Sequence, residues 1–491
     1  MRRCVVIFAP GRKKICLFRM GIIVLLFCML PARRTEGSYL TVRGSDLCND
    51  KGEVVRLTGV NWFGFETTNM FPHGLWARDY HGVLKQVRQM GFNCIRIPFS
   101  NEMLHADSQV DKPNFYGEDP YALRPKTEFN RELAGLTPLQ MLDEIIAYAK
   151  VQGLVVILDN HSREHDGYMN EKLWYTGAFS EQVWIDDWVM LAERYRGNST
   201  VIGFDLNNEP HGKGDAGGAT WGAGDPVSDW NTAAEKCGNA VLAVNPDVLI
   251  LIEGVEQYES TVYWWGGNLR GVHKHPISLS RPDKLVYSPH EYGPEVHQQP
   301  WFFEDAFPDN MEAIWDDAFG FLVREKTAPL LIGEFGISSE ESYEGRAGKW
   351  FDRFISYMDA TGISFTFWAL NPNSGDTGGI LSTDWVTPVQ WKLDAIKPLF
   401  APLINEPMKT REPRRNSATK TRAHIMVRDR VVTIEGVTNR NLTVSVVTLH
   451  GKTVQLETGR MFSLAPVVPG IYSIVLRSGG RTVLVRRIAV D

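Results

Sequence analysis

The chain has 491 residues, 43% of them apolar and 22% charged, with a formal net charge of −6. That is long enough for one large domain and a smaller one, and the composition is globular, which excludes a disordered or fibrous chain. The acidic balance argues against nucleic acid as a partner, because phosphate backbones select basic surfaces.

In chain order, Arg12, Lys13, Lys14 and Arg19 precede an apolar run from Met20 to Leu30. This reads as a signal peptide within a leader over 1–37, too short to span a bilayer, so no membrane insertion is expected. Met20 is an alternative start. Cys4, Cys16 and Cys28 fall in the leader, leaving Cys48, Cys94 and Cys237, an odd count without metal-ligand spacing. A Cys48–Cys94 disulfide is one option.

From residue 38 to 403 short apolar runs alternate with helical patterns. The runs read as strands are Arg56–Trp62, Asn93–Pro98, Leu154–Asn160, Val201–Asn208, Val248–Glu253, Lys284–His290, Pro329–Glu334 and Ser364–Leu370. Continuously apolar stretches such as Leu154-Val-Val-Ile-Leu belong to strands covered on both faces. Thr137-Pro-Leu-Gln140 marks a helix start with a capping box, and Ser180 starts another. Helices are also read over 309–325 and 346–359. This alternation predicts an α/β fold, a (β/α)8 TIM barrel. A doubly wound open sheet is the alternative, but no GxGxxG turn follows the first strand. Residues 404–423 form a basic, Pro-containing linker. Residues 424–491 carry short alternating strands at Val431, Leu442, Tyr472 and Thr482, which predict a small β-sandwich-like domain.

Barrel chemistry sits at the C-terminal ends of the strands. Here those ends carry Arg96, Asp159-Asn-His161, Asn207-Asn208-Glu209, His290-Glu-Tyr292, Gly333-Glu334 and Trp368. Glu209 and Glu334 end strands four and seven, which face each other across a barrel mouth. Glycosidic cleavage needs such a pair, one carboxyl protonated to release the leaving oxygen and one ionised to attack the anomeric carbon. Arg96 and Tyr292 are expected beside Glu334, and Asn208 is placed to bind a sugar hydroxyl. Several Trp residues in loop-like contexts suit stacking on pyranose faces. His161 and His165 have the spacing of a helical metal pair, but His161 ends a strand, so no metal is expected; nor is a cofactor.

Asn207-Asn-Glu-Pro and Leu331-Ile-Gly-Glu-Phe-Gly, with Gly59-Val-Asn-Trp-Phe-Gly-Phe-Glu, Asn93-Cys-Ile-Arg-Ile-Pro, Tyr263-Trp-Trp-Gly-Gly-Asn-Leu and Ser374-Gly-Asp-Thr-Gly-Gly, resemble glycoside hydrolase family 5 over residues 39–403. The resemblance implies a retaining endo-β-1,4-glucanase, with Glu209 as acid/base and Glu334 as nucleophile. It also implies supporting roles for Arg96, His161, Asn208, His290 and Tyr292, and sugar stacking on Trp62, Trp264, Trp265 and Trp368. Leu370 stands where relatives carry a second Trp. The same family includes enzymes for β-mannan, xyloglucan or mixed-linkage glucan, and a non-catalytic carbohydrate-binding barrel is the alternative from another class. The tail, with Leu449-His-Gly-Lys-Thr-Val and Val468-Pro-Gly-Ile-Tyr, resembles the sorting domain of the type IX secretion system. That implies a Gram-negative host and a secreted or cell-surface protein. A monomer is expected.

Overall fold

The computed structural model describes residues 39–107, 129–405, 424–428, 431–435, 442–448, 453–457, 461–464, 467–478 and 481–490. The expected leader, residues 406–423 of the expected linker and the turn at 449–451 lie outside the described residues. The chain divides into two compact units, 1–408 and 409–491.

The first unit is built on an eight-stranded parallel sheet: β1 (Thr58–Asn61), β2 (Cys94–Ser100), β3 (Val155–Ser162), β4 (Val201–Asp205), β5 (Leu249–Ile252), β6 (Leu285–Tyr287), β7 (Leu331–Ile332) and β8 (Ser364–Phe367). Their order is β6-β5-β4-β3-β2-β1-β8-β7. A parallel bridge between Tyr287 and Leu330 brings β6 against β7 and closes the barrel. This is the (β/α)8 architecture the alternating runs imply.

The lower parts of the strands are apolar because both faces are buried there. Cys94, Ile157, Leu249, Leu251, Val286 and Leu331 fall in one buried cluster, while their neighbours Ile95, Val156, Leu158, Ile250, Ile252 and Ile332 fall in another that includes the surrounding helices. Successive strand side chains point to opposite faces, so one parity fills the barrel and the other meets the helices. The inward parity continues upward into Asn61, Arg96, Asp159, Asp205 and Glu253, all with 0% exposure. The barrel is thus apolar below and charged at its mouth.

Helices follow most strands. Pro138–Gln152 begins with the expected capping box, in which Thr137 accepts from the Gln140 backbone and Gln140 from the Thr137 backbone. Ser180 caps Glu181–Arg194 by a single bond, its side chain accepting from the Val183 backbone N–H. The 309–325 pattern becomes two helical segments joined by a π turn over Asp316–Gly320. One crossover departs from the alternation. Between β5 and β6 the chain makes a two-stranded hairpin and 3-10 turns, with no α-helix. Gly266, Gly267, Gly271, Pro276 and Pro282 in that stretch deny it a helix.

Cys48, Cys94 and Cys237 are all buried free thiols, so no Cys48–Cys94 disulfide exists. Cys94 points into the barrel from β2, whereas Cys48 lies in an antiparallel sheet of its own.

The second unit is all β. Its described strands form a three-stranded antiparallel sheet (His424–Arg428, Val431–Glu435, Met461–Ser463) and a four-stranded one ordered Thr453–Glu457, Leu442–Thr448, Gly470–Ser478, Arg481–Val490. The sequence reading missed His424–Arg428, Thr453–Glu457 and Met461–Ser463, which are short and weakly apolar. Among the described residues no helix is long and apolar enough to cross a membrane.

Replacing Thr137 by Ala removes half of the capping box and takes the side-chain acceptor from the Gln140 backbone N–H. The unfolding free energy should fall by about 1 kcal/mol, read from the urea midpoint; an unmoved midpoint would show that the box contributes nothing.

Candidate active site

The charged mouth is organised around Arg96. Its guanidinium is wholly buried. Nε donates to Asp205 Oδ2 at 3.0 Å, Nη1 to Asn61 Oδ1 at 3.1 Å and Glu334 Oε1 at 3.0 Å, and Nη2 to Asn208 Oδ1 at 3.2 Å. Nη2 also lies 3.0 Å from Asp159 Oδ1 and 3.3 Å from Glu253 Oε1. Burial acts to lower the Arg96 pKa, but the surrounding carboxylates outweigh it and raise it. A fork of donors in one plane reaches partners from five strand ends, which a lysine could not do.

Glu334 is held on both oxygens, by Arg96 on Oε1 and by the Tyr292 hydroxyl on Oε2 at 2.7 Å. Burial and the neighbouring Glu334 and Glu209 charges push the Tyr292 phenol well up, so it stays a donor. Glu209 is more open to the cleft, with its side chain 22% exposed, and its Oε1 lies 2.9 Å from His290 Nδ1. An oxygen of Glu209, one of Glu334 and a nitrogen of His290 all lie within 4.8 Å of one another.

Glu209 is held in a left-handed backbone conformation, φ +46°. A non-glycine residue rarely adopts it, and here a hydrogen bond of 2.8 Å from the Glu209 N–H to Glu253 Oε2 over-determines it. Gly266 makes the approach feasible: a Cβ there would sit 2.0 Å from Glu253 Oε2. Burial pushes Glu253 up to about 8. Its other oxygen lies 3.1 Å from His290 Nε2, and His290 is raised well above its ordinary value by Glu253 and Glu334, against the opposing effect of burial.

His161 ends β3 with Nδ1 2.7 Å from Asp159 Oδ2. His165 pairs instead with Glu102, so the two histidines do not form a joint site. Asp159, Asp205 and Glu253 cluster closely enough to invite a cation, and Arg96 supplies that positive charge from within the chain.

The aromatic expectations divide. Trp62 is corrected: it is 1% exposed and its indole donates to His73 O at 3.0 Å, so it packs in the core and offers no face to a sugar. Trp264 is also buried, edge-on to Tyr292 with centroids 6.1 Å apart. Trp265 and Trp368 remain partly exposed. Trp265 stacks on His211 at 3.8 Å, and Trp368 on His161 at 5.5 Å and 2°. Leu370, noted above as a departure from the family pattern, is buried in the core. Trp76 and Trp385, partly exposed and in edge contact at 5.2 Å, join Phe63 and His73 near Trp368 as an aromatic wall that sequence reasoning did not assemble. Asp205, Glu253 and Asn61 were also missed as site residues, although each follows inward parity at a strand end.

The profile described as Cellulase (glycosyl hydrolase family 5) matches residues 48–374. The chain belongs to this family. An endoglucanase of Paenibacillus polymyxa is 43% identical over 377 residues, covering 76% of this chain and 90% of that protein. The major extracellular endoglucanase of Xanthomonas campestris pv. campestris is 39% identical over 368 residues, 74% of this chain and 71% of its own. The solved catalytic domain of that enzyme superposes with a TM-score of 0.65 at 39% identity, over 73% of this chain and 99% of the domain. An endocellulase variant from Pyrococcus horikoshii in complex with cellotetraose gives 0.66 at 39%, over 74% and 98%. The family 5 cellulase fold thus accounts for the barrel and leaves the all-β unit beyond the match.

The mouth stores protons. Burial pushes Glu66 up to about 7 and Glu253 to about 8, against the nearby histidine charges, and His161 is raised to about 9 because Asp159 outweighs the opposing effect of burial. His161 in the unfolded chain releases its proton near 6.5, so the stability it confers is complete below that pH and is lost as the pH rises through about 9. The unfolding free energy should therefore decline from neutral to alkaline pH by a few kcal/mol. His161→Gln should flatten part of that slope in urea titrations at a series of pH values; an unchanged slope would show that His161 does not carry it.

Proposed function

We propose that this chain is a retaining endo-β-1,4-glucanase. The observation that carries the reading is the pair Glu209 and Glu334, with oxygens within 4.8 Å. That is close to the about 5–5.5 Å of carboxyls that work by double displacement, and too close to seat a water between them as inversion requires. The family match and the endoglucanase relatives support the glucan substrate.

In the first step the Glu334 carboxylate bonds to the anomeric carbon as the bond to the leaving oxygen breaks, and Glu209 delivers its proton to that oxygen. In the second, Glu209 takes a proton from water, whose oxygen displaces Glu334. Arg96 and the Tyr292 hydroxyl orient Glu334 and hold its charge until attack. Asn208, oriented through its carbonyl by Arg96, presents its amide to the sugar. Trp265 and Trp368 offer stacking faces, Trp368 beside His161.

Reducing-end release from carboxymethylcellulose and galactomannan, measured in parallel, tests the substrate and nucleophile. Glucan activity that falls on the order of 10³-fold or more in Glu334→Gln is expected. Preference for mannan would overturn the substrate, and an initial α-anomer by NMR would overturn retention.

We also propose that the chain is exported, with residues 424–491 acting as a type IX sorting signal. The resemblance of the tail motifs supports this, and a relative described as extracellular supports secretion. Removing 424–491 should trap the enzyme in the periplasm of a type IX-competent host, and the exported protein should lack Met1 on N-terminal sequencing. Normal export of the truncated chain would refute the sorting role.

A further inference from the structure

Glu291 sits between His290, which touches Glu209, and Tyr292, which touches Glu334. Its carboxylate has 0% exposure and points away from the cleft. It accepts from three aromatic donors: Tyr263 O–H at 2.5 Å, Trp315 Nε1 at 2.9 Å and Trp350 Nε1 at 3.0 Å. Its backbone N–H donates to the carbonyl of Glu334 at 3.1 Å, so the same residue ties the end of β6 to the residue proposed as nucleophile. The donors come from three separate elements: the loop after β5, the helical segment Met311–Trp315 and the helix Arg346–Thr361. Close packing holds the arrangement, since a Cβ at Gly293 would meet the Trp350 ring at 2.7 Å.

A buried carboxylate is costly to desolvate, and a hydrophobic side chain would fill this space at less cost. Three directional hydrogen bonds instead fix its rotation. Because neighbouring residues at a strand end share one backbone, fixing Glu291 fixes the directions in which His290 and Tyr292 project.

We propose that Glu291 is a positioning residue: its tripod of aromatic hydrogen bonds sets the placement of His290 and Tyr292, and through them the orientation of Glu209 and Glu334 in the transition state. This rests on the catalytic roles proposed above for those two glutamates. Substrate stacking is not made by Glu291, so its loss should fall on kcat and spare KM.

The test uses the full chain. Working sites are counted by labelling with a 2-deoxy-2-fluoro-β-cellobioside bearing a dinitrophenyl leaving group, read by mass spectrometry. Then kcat and KM on soluble glucan are measured per labelled site. Glu291→Gln keeps the volume but turns an N–H toward the indole donors; kcat should fall about ten-fold with KM within about two-fold. Trp350→Phe removes one donor, keeps the carboxylate and decides the matter if the Gln variant does not fold. It should shift kcat in the same direction by a smaller factor. A kcat per labelled site within about two-fold of wild type, whatever happens to the melting temperature, or a loss confined to KM, would overturn the proposal. Wild type that does not label, or Glu334→Gln that does, would instead show that the catalytic reading itself has failed.

Discussion

A guanidinium with no solvent at all is the constraint on which this barrel mouth depends. Removing Arg96 from water costs several kcal/mol, and the cost is offset only if its donors meet acceptors of opposite charge in good geometry. Asp159, Asp205, Glu253 and Glu334 meet that demand from four different strand ends, with Asn61 and Asn208 taking remaining donor positions. The buried arginine and its acidic partners depend on one another for charge compensation. The same contacts that allow the mouth to fold also orient Glu334, so folding shares one network with the chemistry proposed for it.

The two glutamates then differ by surroundings. Glu334 is gripped on both oxygens and nearly closed off. Glu209 faces the cleft, touches His290 and stands on a strained backbone fixed by Glu253. The nucleophile role proposed for Glu334 benefits from rigid placement, whereas the acid/base role proposed for Glu209 needs access to substrate and water. The asymmetry arises from neighbours, since the side chains themselves are identical.

Aromatic residues show the same division of labour. The indoles of Trp315 and Trp350 serve as hydrogen-bond donors deep in the core, and Trp62 packs under the cleft with its N–H satisfied. Only those with a partly open face, such as Trp265 and Trp368, are available to a sugar. Tryptophan content is therefore a poor guide to binding surface on its own, because its large apolar ring is equally suited to the core.

Residue order along the chain was enough for the architecture and the chemical outline. Periodicity, helix caps and continuously apolar runs follow from local rules, so the strands, the helix starts at Thr137 and Ser180, and Glu209 and Glu334 at strand ends were all legible. What it could not carry was which side chains meet. Arg96 bonds to residues up to 238 positions away, and Asp205 or Glu253 resemble any acidic strand terminus until the barrel closes. Trp62 looked like Trp368 in a motif, and tertiary packing alone buried one and left the other open. The free state of Cys48 and Cys94 was decided in the same way. Local patterns are set by neighbours along the chain, whereas burial, ion pairing and proton affinity are set by neighbours in space.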